Sequence, residues 1–293
     1  MKLNELHDRS VKHRRIMVGE VDCFFREAGP AHAPVVLLPH GYPCSSYQFR
    51  NLMPQLADRW RLLAPDFPGS GYTRAPAGFR YDFDGFAQFL ASFLAALNVE
   101  RFAIYLHDFG SQIGLRLCIQ QPQRVAALIV QNGDIYMDAL GPMYGPFLQY
   151  FAHPTPEGRA KLESAVSEEG FKHEFLNSVG PELAQRIPPD LWHLHWSVMT
   201  EERRQIVFSV LEGLKHNFDW FPRYQAYLRE HRPATLIAWG PNDGYMPEES
   251  ARAYLRDLPD AELHLLDGGH WLLETHLPEV AALCRDFLAR THV

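Results

Sequence analysis

The stretch AIYLHDFGSQIGL, residues 103–115, decides the fold. Four apolar residues run into a polar break, His107–Asp108, and glycines follow at Gly110 and Gly114. A carboxylate at the tip of a buried strand is costly unless it is paired or used. A strand, a sharp turn and a helix with a reactive side chain at the turn form a nucleophile elbow. Such an elbow exposes the reactive atom at the C-terminal edge of a sheet and points a helix N-terminus at developing negative charge. The usual G-x-S-x-G is absent: Ser70 and Ser111 are mis-spaced, Asp108 stands at the turn, and Leu106 occupies the place where many elbows have a small residue.

Working outward, the flanking segments alternate. APVVLLPHGYP (33–43) and WRLLAPDFPGSGYT (60–73) are apolar runs closed by Pro and Gly, as expected of strands buried on both faces. VDCFFREAG (21–29) reads as an early edge strand and turn, and SSYQFRNLMPQLAD (45–58) as a short helix capped by Ser45 or Ser46. DFDGFAQFLASFLAALNV (82–99) is an amphipathic helix with an acidic start, and VAALIVQNG (125–133) is another buried strand. From about residue 135 to 232 the pattern turns helical and aromatic, with no clear strand. ATLIAWG (234–240) and AELHLLDGGHW (261–271) then resume the strands, and a final helix closes the chain. The reading is an α/β domain with a mainly parallel sheet, its two parts at 1–134 and 233–293, and a helical insertion at 135–232.

Composition narrows the function. The 293 residues are 46% hydrophobic and 22% charged, with a net charge of −7. With no basic run, nucleic-acid binding is not expected. No apolar run approaches the roughly 20 residues of a membrane helix. The polar N-terminus does not resemble a secretory signal, and four scattered cysteines suit reduced thiols in the cytoplasm. No metal-ligand spacing occurs, and no cofactor is implied.

Two later segments complete a candidate triad. Asp243 in IAWGPNDGYMP follows a strand end, and His270 lies in the glycine-flanked loop of LHLLDGGHW. Asp108, Asp243 and His270 follow the order nucleophile, acid, base. Asp134, just after the preceding strand, is the alternative acid. Asp66 reads as a loop brace, His40 as a turn-shaping residue, and His193 and His195 as packing.

Together VVLLPHGYPCSSYQFRNLMP, LLAPDFPGSGYT, LHDFGSQIGL, WGPNDG and GGHW resemble the α/β-hydrolase superfamily, and within it the aspartate-nucleophile branch of haloalkane dehalogenases and epoxide hydrolases. The resemblance runs from about residue 20 to the end and is weakest at 135–230, where that branch carries a helical cap. It implies that Asp108 attacks saturated carbon to form an alkyl ester, and that water activated by His270, oriented by Asp243, hydrolyses it. The backbone N–H groups of Phe109 and Tyr42 would form the oxyanion hole.

The leaving group divides the branch. Dehalogenases hold halide with an indole N–H beside the nucleophile and a second donor, often Asn; here Phe109 and Tyr42 stand there, and a phenyl ring donates nothing. Epoxide hydrolases protonate the opening ring with cap tyrosines. FLQYF (147–151) resembles one such segment, with Phe147 in the expected place, which leaves Tyr150 and Tyr144 as candidates; LEGLKHNF (211–218) resembles the other without a tyrosine. The expectation is a hydrolase of a small apolar substrate, inclined toward epoxides. Carbon–halogen hydrolysis is the alternative, and a non-catalytic small-molecule receptor on the same fold is a third reading.

Overall fold

In the computed structural model, which describes residues 9–177 and 179–291, the segment read first forms a fully buried strand, Phe102–His107, inside one eight-stranded sheet. The strands are β1 (Lys12–Val18), β2 (Val21–Ala28), β3 (Val35–Leu37), β4 (Arg61–Pro65), β5 (Phe102–His107), β6 (Val125–Gln131), β7 (Thr235–Trp239) and β8 (Glu262–Leu265). Their spatial order is β1-β2-β4-β3-β5-β6-β7-β8. Only β1 with β2 and β2 with β4 are antiparallel; every other pair is parallel.

The continuous apolar runs follow from this arrangement. Along β5, Ile104 and Leu106 enter the core on one face, where the helices Phe83–Ala96 and Phe109–Gln120 pack. Ala103 and Tyr105 enter the other, under the helix Leu277–Arg290. A strand buried on both sides has no polar alternation to show. The helix Phe83–Ala96 is capped by Asp82, which accepts the Gly85 N–H at 2.8 Å.

Two expectations change. VDCFFREAG is not the edge: β2 is covered by β1, whose residues Lys12 to Arg15 are exposed. That charged stretch carries no strand signal in one dimension, yet charge is what an exposed edge strand carries to discourage pairing with other chains. The segment 45–58 is a 3₁₀ turn, Ser46–Phe49, followed by the four-residue helix Met53–Leu56, because a proline enters that helix at its second position. Ser45 caps the turn by accepting from Tyr47 N.

Between β6 and β7 the described residues contain helices and no strand. The helix Phe221–His231 lies against Phe109–Gln120, tied by Arg116, which bonds Tyr224 Oη at 2.8 Å and Asn217 Oδ1 at 3.0 Å and also pairs with Asp84. Cap residues Phe171, Phe175, Leu191 and Trp192 cluster with Cys44 and Trp271 of the core. That cluster seats the helical segment over the C-terminal ends of the parallel strands. No helix among the described residues is long and apolar enough to cross a membrane.

Candidate active site

Asp108 follows β5 with φ 50° and ψ −134°, a conformation that a non-glycine residue adopts only when its surroundings hold it there. Its N–H donates to Asn132 O at 3.0 Å, and its C=O accepts from Ser111 N at 2.9 Å and Ser111 Oγ at 2.6 Å. The turn is tight because glycines surround it. A Cβ on Gly110 would stand 2.3 Å from Pro39 O, and one on Gly41 would stand 2.6 Å from Asp108 Oδ1. Leu106, the oversized residue before the elbow, is accommodated because Gly114 lacks a side chain: a Cβ there would meet Leu106 Cδ2 at 2.5 Å.

Although Asp108 precedes the helix, its carboxylate does not cap it. Oδ1 accepts the Tyr42 N–H at 2.5 Å, and Oδ2 lies 3.6 Å from His270 Nε2. The Phe109 N–H makes no hydrogen bond to the carboxylate; it opens the helix directly beside it. Burial alone would favour the neutral acid. The hydrogen bond and charge of His270, with the Tyr42 N–H, outweigh burial and bring Asp108 below its ordinary range.

His270 lies in the loop after β8, with Nδ1 2.6 Å from Asp243 Oδ2. Burial disfavours the imidazolium, but the charge of Asp243 and the bonds to both carboxylates raise the ring to about 10. Asp243 accepts four hydrogen bonds: His270 Nδ1 and Asn132 Nδ2 (2.9 Å) on Oδ2, and the N–H groups of Tyr245 (2.9 Å) and Met246 (3.2 Å) on Oδ1. Asp134 is elsewhere. Its Oδ1 takes the Gln112 amide at 2.7 Å, and its Oδ2 makes no complete hydrogen bond, with the Tyr144 hydroxyl facing it. Burial pushes Asp134 up to about 7. The structure thus sets Asp243, and not Asp134, against the imidazole.

A narrow cavity above Asp108 is lined by Tyr42, Phe109, Tyr144, Tyr245, Glu174 and His270, among others. Tyr144 and Tyr245 stand with ring centroids 5.3 Å apart, and both phenols sense the Asp108 charge. Tyr150 does not line this cavity. Its hydroxyl donates to Glu212 Oε1 at 2.8 Å, and it borders a separate outer cavity under the helix Pro156–Ala165. Of the two tyrosines expected there, only Tyr144 faces the nucleophile. Phe109 stacks on Tyr42 at 5.9 Å and meets Phe83 at 5.4 Å, as an apolar wall. Asp66 and His40 brace loops as expected: Asp66 accepts from Ser46 N and Tyr72 N, each at 2.8 Å, and His40 Nε2 accepts the Phe67 N–H at 3.0 Å.

The family model for the alpha/beta hydrolase fold matches residues 34–277. This chain belongs to the α/β-hydrolase family. An uncharacterised hydrolase of Saccharomyces cerevisiae is 31% identical to this α/β hydrolase over 264 residues, 89% of this chain and 91% of the relative. A haloalkane dehalogenase of Mycolicibacterium paratuberculosis is 35% identical over 111 residues, 37% of each chain. The crystal structure of the haloalkane dehalogenase DbeA from Bradyrhizobium elkani superposes with a TM-score of 0.79 at 21% identity. The match covers 97% of this chain and 99% of that one, and it shows the shared fold.

Several supporting residues of this α/β hydrolase carry no motif. Asn132, at φ 40°, donates to Asp243 Oδ2 and Gly240 O and accepts the Gly240 N–H at 3.0 Å, so it ties β6 to β7 at the triad. His107 is fully buried and is held down to about 3 by burial and by the His270 charge. It faces His270 O at 3.0 Å with Nε2 and Gln48 Nε2 at 2.7 Å with Nδ1. The Gln131 amide reaches the same His270 carbonyl at 2.9 Å. An amide side chain at the end of a strand, Gln131, or directly after it, Asn132, was the only visible signal for the β6 pair; Glu174 and Tyr245 gave none.

Proposed function

We propose that this α/β hydrolase opens small apolar epoxides through a covalent ester on Asp108. The observation that carries the reading is the set of donors above the nucleophile: the cavity is lined by three tyrosines and no indole, and because Tyr42 spends its hydroxyl on Ala165 O at 2.8 Å, Tyr144 and Tyr245 are left as donors. Both tryptophan N–H groups near the site are spent on backbone, Trp271 Nε1 on Glu174 O and Trp239 Nε1 on Met246 O, each at 2.8 Å. A halide leaves as a stable anion and needs only weak donors. A ring oxygen leaves as an alkoxide and needs a proton, which a phenol can give.

The steps follow from the charges. Asp108, kept ionised, attacks a ring carbon; the C–O bond breaks and a tyrosine O–H protonates the oxygen. Esterification removes the negative charge that helps hold His270 protonated, so the imidazole loses its proton more easily. Neutral His270, its Nδ1–H still fixed by Asp243, then takes a proton from water at Nε2. The hydroxide attacks the carboxyl carbon of Asp108, and the oxyanion forms against the N–H groups of Tyr42 and Phe109; losing one such donor typically costs ~3 kcal/mol.

Dehalogenase relatives favour a second reading, carbon–halogen hydrolysis. One panel separates the two: epoxide opening and bromide release by the purified protein beside Asp108→Ala. Epoxide turnover is expected, with single turnover in heavy-oxygen water leaving label in the Asp108 carboxylate. Bromide release alone would support the second reading. Saturable binding with no adduct on Asp108 would leave a receptor.

A further inference from the structure

We propose that Glu174 supplies, through the Tyr245 hydroxyl, the proton taken up by the opening ring. This rests on the ring-opening reading and adds a residue outside the triad. Glu174 lies on the cap helix Glu168–Leu176, where Phe171 and Phe175 bury the same side and Lys172 and His173 face outward. Its carboxyl turns inward, lining the cavity with Asp108 and His270. Its Oε1 lies 3.2 Å from Tyr245 Oη. Both partners are fixed by backbone: the Trp271 indole holds Glu174 O at 2.8 Å, and Asp243 Oδ1 holds the Tyr245 N–H at 2.9 Å.

Among the described residues no lysine or arginine pairs with Glu174. The groups facing it from the core are Tyr42, Asp108, Asp243, Tyr245 and His270. In the outer cavity, which Glu174 also borders, stand Lys161 of the neighbouring helix and Glu169 and His173 of its own. The helix Asp190–Ser197 packs on the other side, where His193 pairs with Glu168 and His195 stacks on Phe175. Burial, relieved by the His270 cation and reinforced by the Asp108 charge, raises Glu174 to about 7.

The pair has two hydrogen-bond states. With Glu174 protonated, its O–H donates to Tyr245 Oη and the phenol O–H is free to point at the substrate. With Glu174 ionised, the phenol donates to the carboxylate and turns away. In the productive state Asp108 forms the C–O ester bond as the ring C–O bond breaks. The phenol proton moves to the ring oxygen, and the Glu174 proton moves to the phenol, leaving Glu174 as carboxylate. Ester hydrolysis regenerates ionised Asp108 with net release of one proton. That proton restores Glu174, directly or through water in the outer cavity.

The test measures ester formation by rapid quench and intact mass in a single turnover of an epoxide, from about pH 5.5 to about pH 9. The wild type should lose rate as pH rises through about 7. Glu174→Gln, nearly isosteric, should give a flat profile in this range, slowed roughly tenfold at low pH, while Tyr245→Phe should be slowed roughly tenfold or more throughout. An unchanged alkaline limb in Glu174→Gln, or Tyr245→Phe within about twofold of wild type, overturns the proposal and leaves ring opening standing. Esters formed from alkyl bromides but from no epoxide overturn ring opening and this proposal together. Thermal melts of both variants, expected near wild type, separate a proton relay from loss of the cap.

Discussion

Asp243→Asn tests the triad at the point where the structure constrains it most. All four hydrogen bonds to Asp243 come from donors, and its side chain is fully buried. An amide has one accepting end and one donating end, so one pair of bonds must fail. Turning the NH₂ toward the Tyr245 and Met246 N–H groups strands two backbone donors. Turning it toward His270 strands only the Asn132 amide, because the imidazole can move its proton to Nε2 and accept at Nδ1. The second arrangement is therefore the cheaper, at one buried donor–donor conflict of about 1–3 kcal/mol in stability. Its chemical cost is larger. With the proton on Nε2, the ring has no lone pair to take a proton from water, and a triad in the wrong tautomer loses roughly 10⁴ in kcat, about 5 kcal/mol. Ester formation on Asp108 does not use that lone pair and should stay within about tenfold. Intact-mass analysis of quenched reactions should show the ester accumulating on a peptide containing Asp108. Turnover within tenfold of wild type, or loss of ester formation itself, would refute the assignment of roles.

Asp134→Asn should leave turnover within a few fold, since Asp134 bonds Gln112 and not the base. Burial raises its carboxyl from the usual aspartate value of 3.8 to about 7, so it costs stability increasingly as pH rises from about 4 to about 7. The asparagine should therefore be more stable than wild type at pH 8 by on the order of 2 kcal/mol and gain little at pH 4, as followed by denaturant melts. Gly110→Ala drives a methyl into Pro39 O and should abolish soluble, folded protein or cut its melting temperature sharply. Arg116→Met should cost about 1.5–3 kcal/mol by removing its charged hydrogen bonds to Tyr224 and Asn217, which keep their bond to each other at 2.8 Å, while half-exposed Asp84 retains Arg80. Urea unfolding measures it, and an effect below about 0.5 kcal/mol would show that the buried guanidinium is not needed.

The elbow was legible because its chemistry is local. Strand, turn and helix are consecutive, and an unexplained carboxylate stands between an apolar run and two glycines. The preference for Asp243 over Asp134 rested on motif order and kept its alternative, because β6 and β7 are adjacent and parallel and each is followed by an aspartate near the same sheet edge. What separates them is Asn132, which turns toward Asp243, and Gln112, which occupies Asp134; neither contact has a spacing. Tyr150 failed for a different reason. The helix Gly145–Ala152 places its hydroxyl beside Glu212, sixty-two residues away in the chain, and no local pattern records that. Glu174 and Tyr245 likewise meet across 71 residues and across the seam between cap and core. The edge strand β1 carried no strand reading, because its charged residues Lys12 to Arg15 show none of the polar–apolar alternation of a half-buried strand.

The indole of Trp271 has a consequence for how molecules enter and leave. Trp271 follows His270 directly, its ring is packed on Phe175 at 4.5 Å, and its N–H is bonded to the cap helix. Lifting that helix as a lid would pull on the very loop that carries the imidazole. His270's carbonyl is meanwhile gripped from below by His107 and Gln131. The base is thus clamped between roof and floor, and traffic is left to the sides of the cavity. There Phe147, Glu174 and Tyr245 border both the inner and the outer cavity. Rotation of such side chains is far faster than a hinge motion of whole helices, so the same wall that handles the proton would also serve as the door.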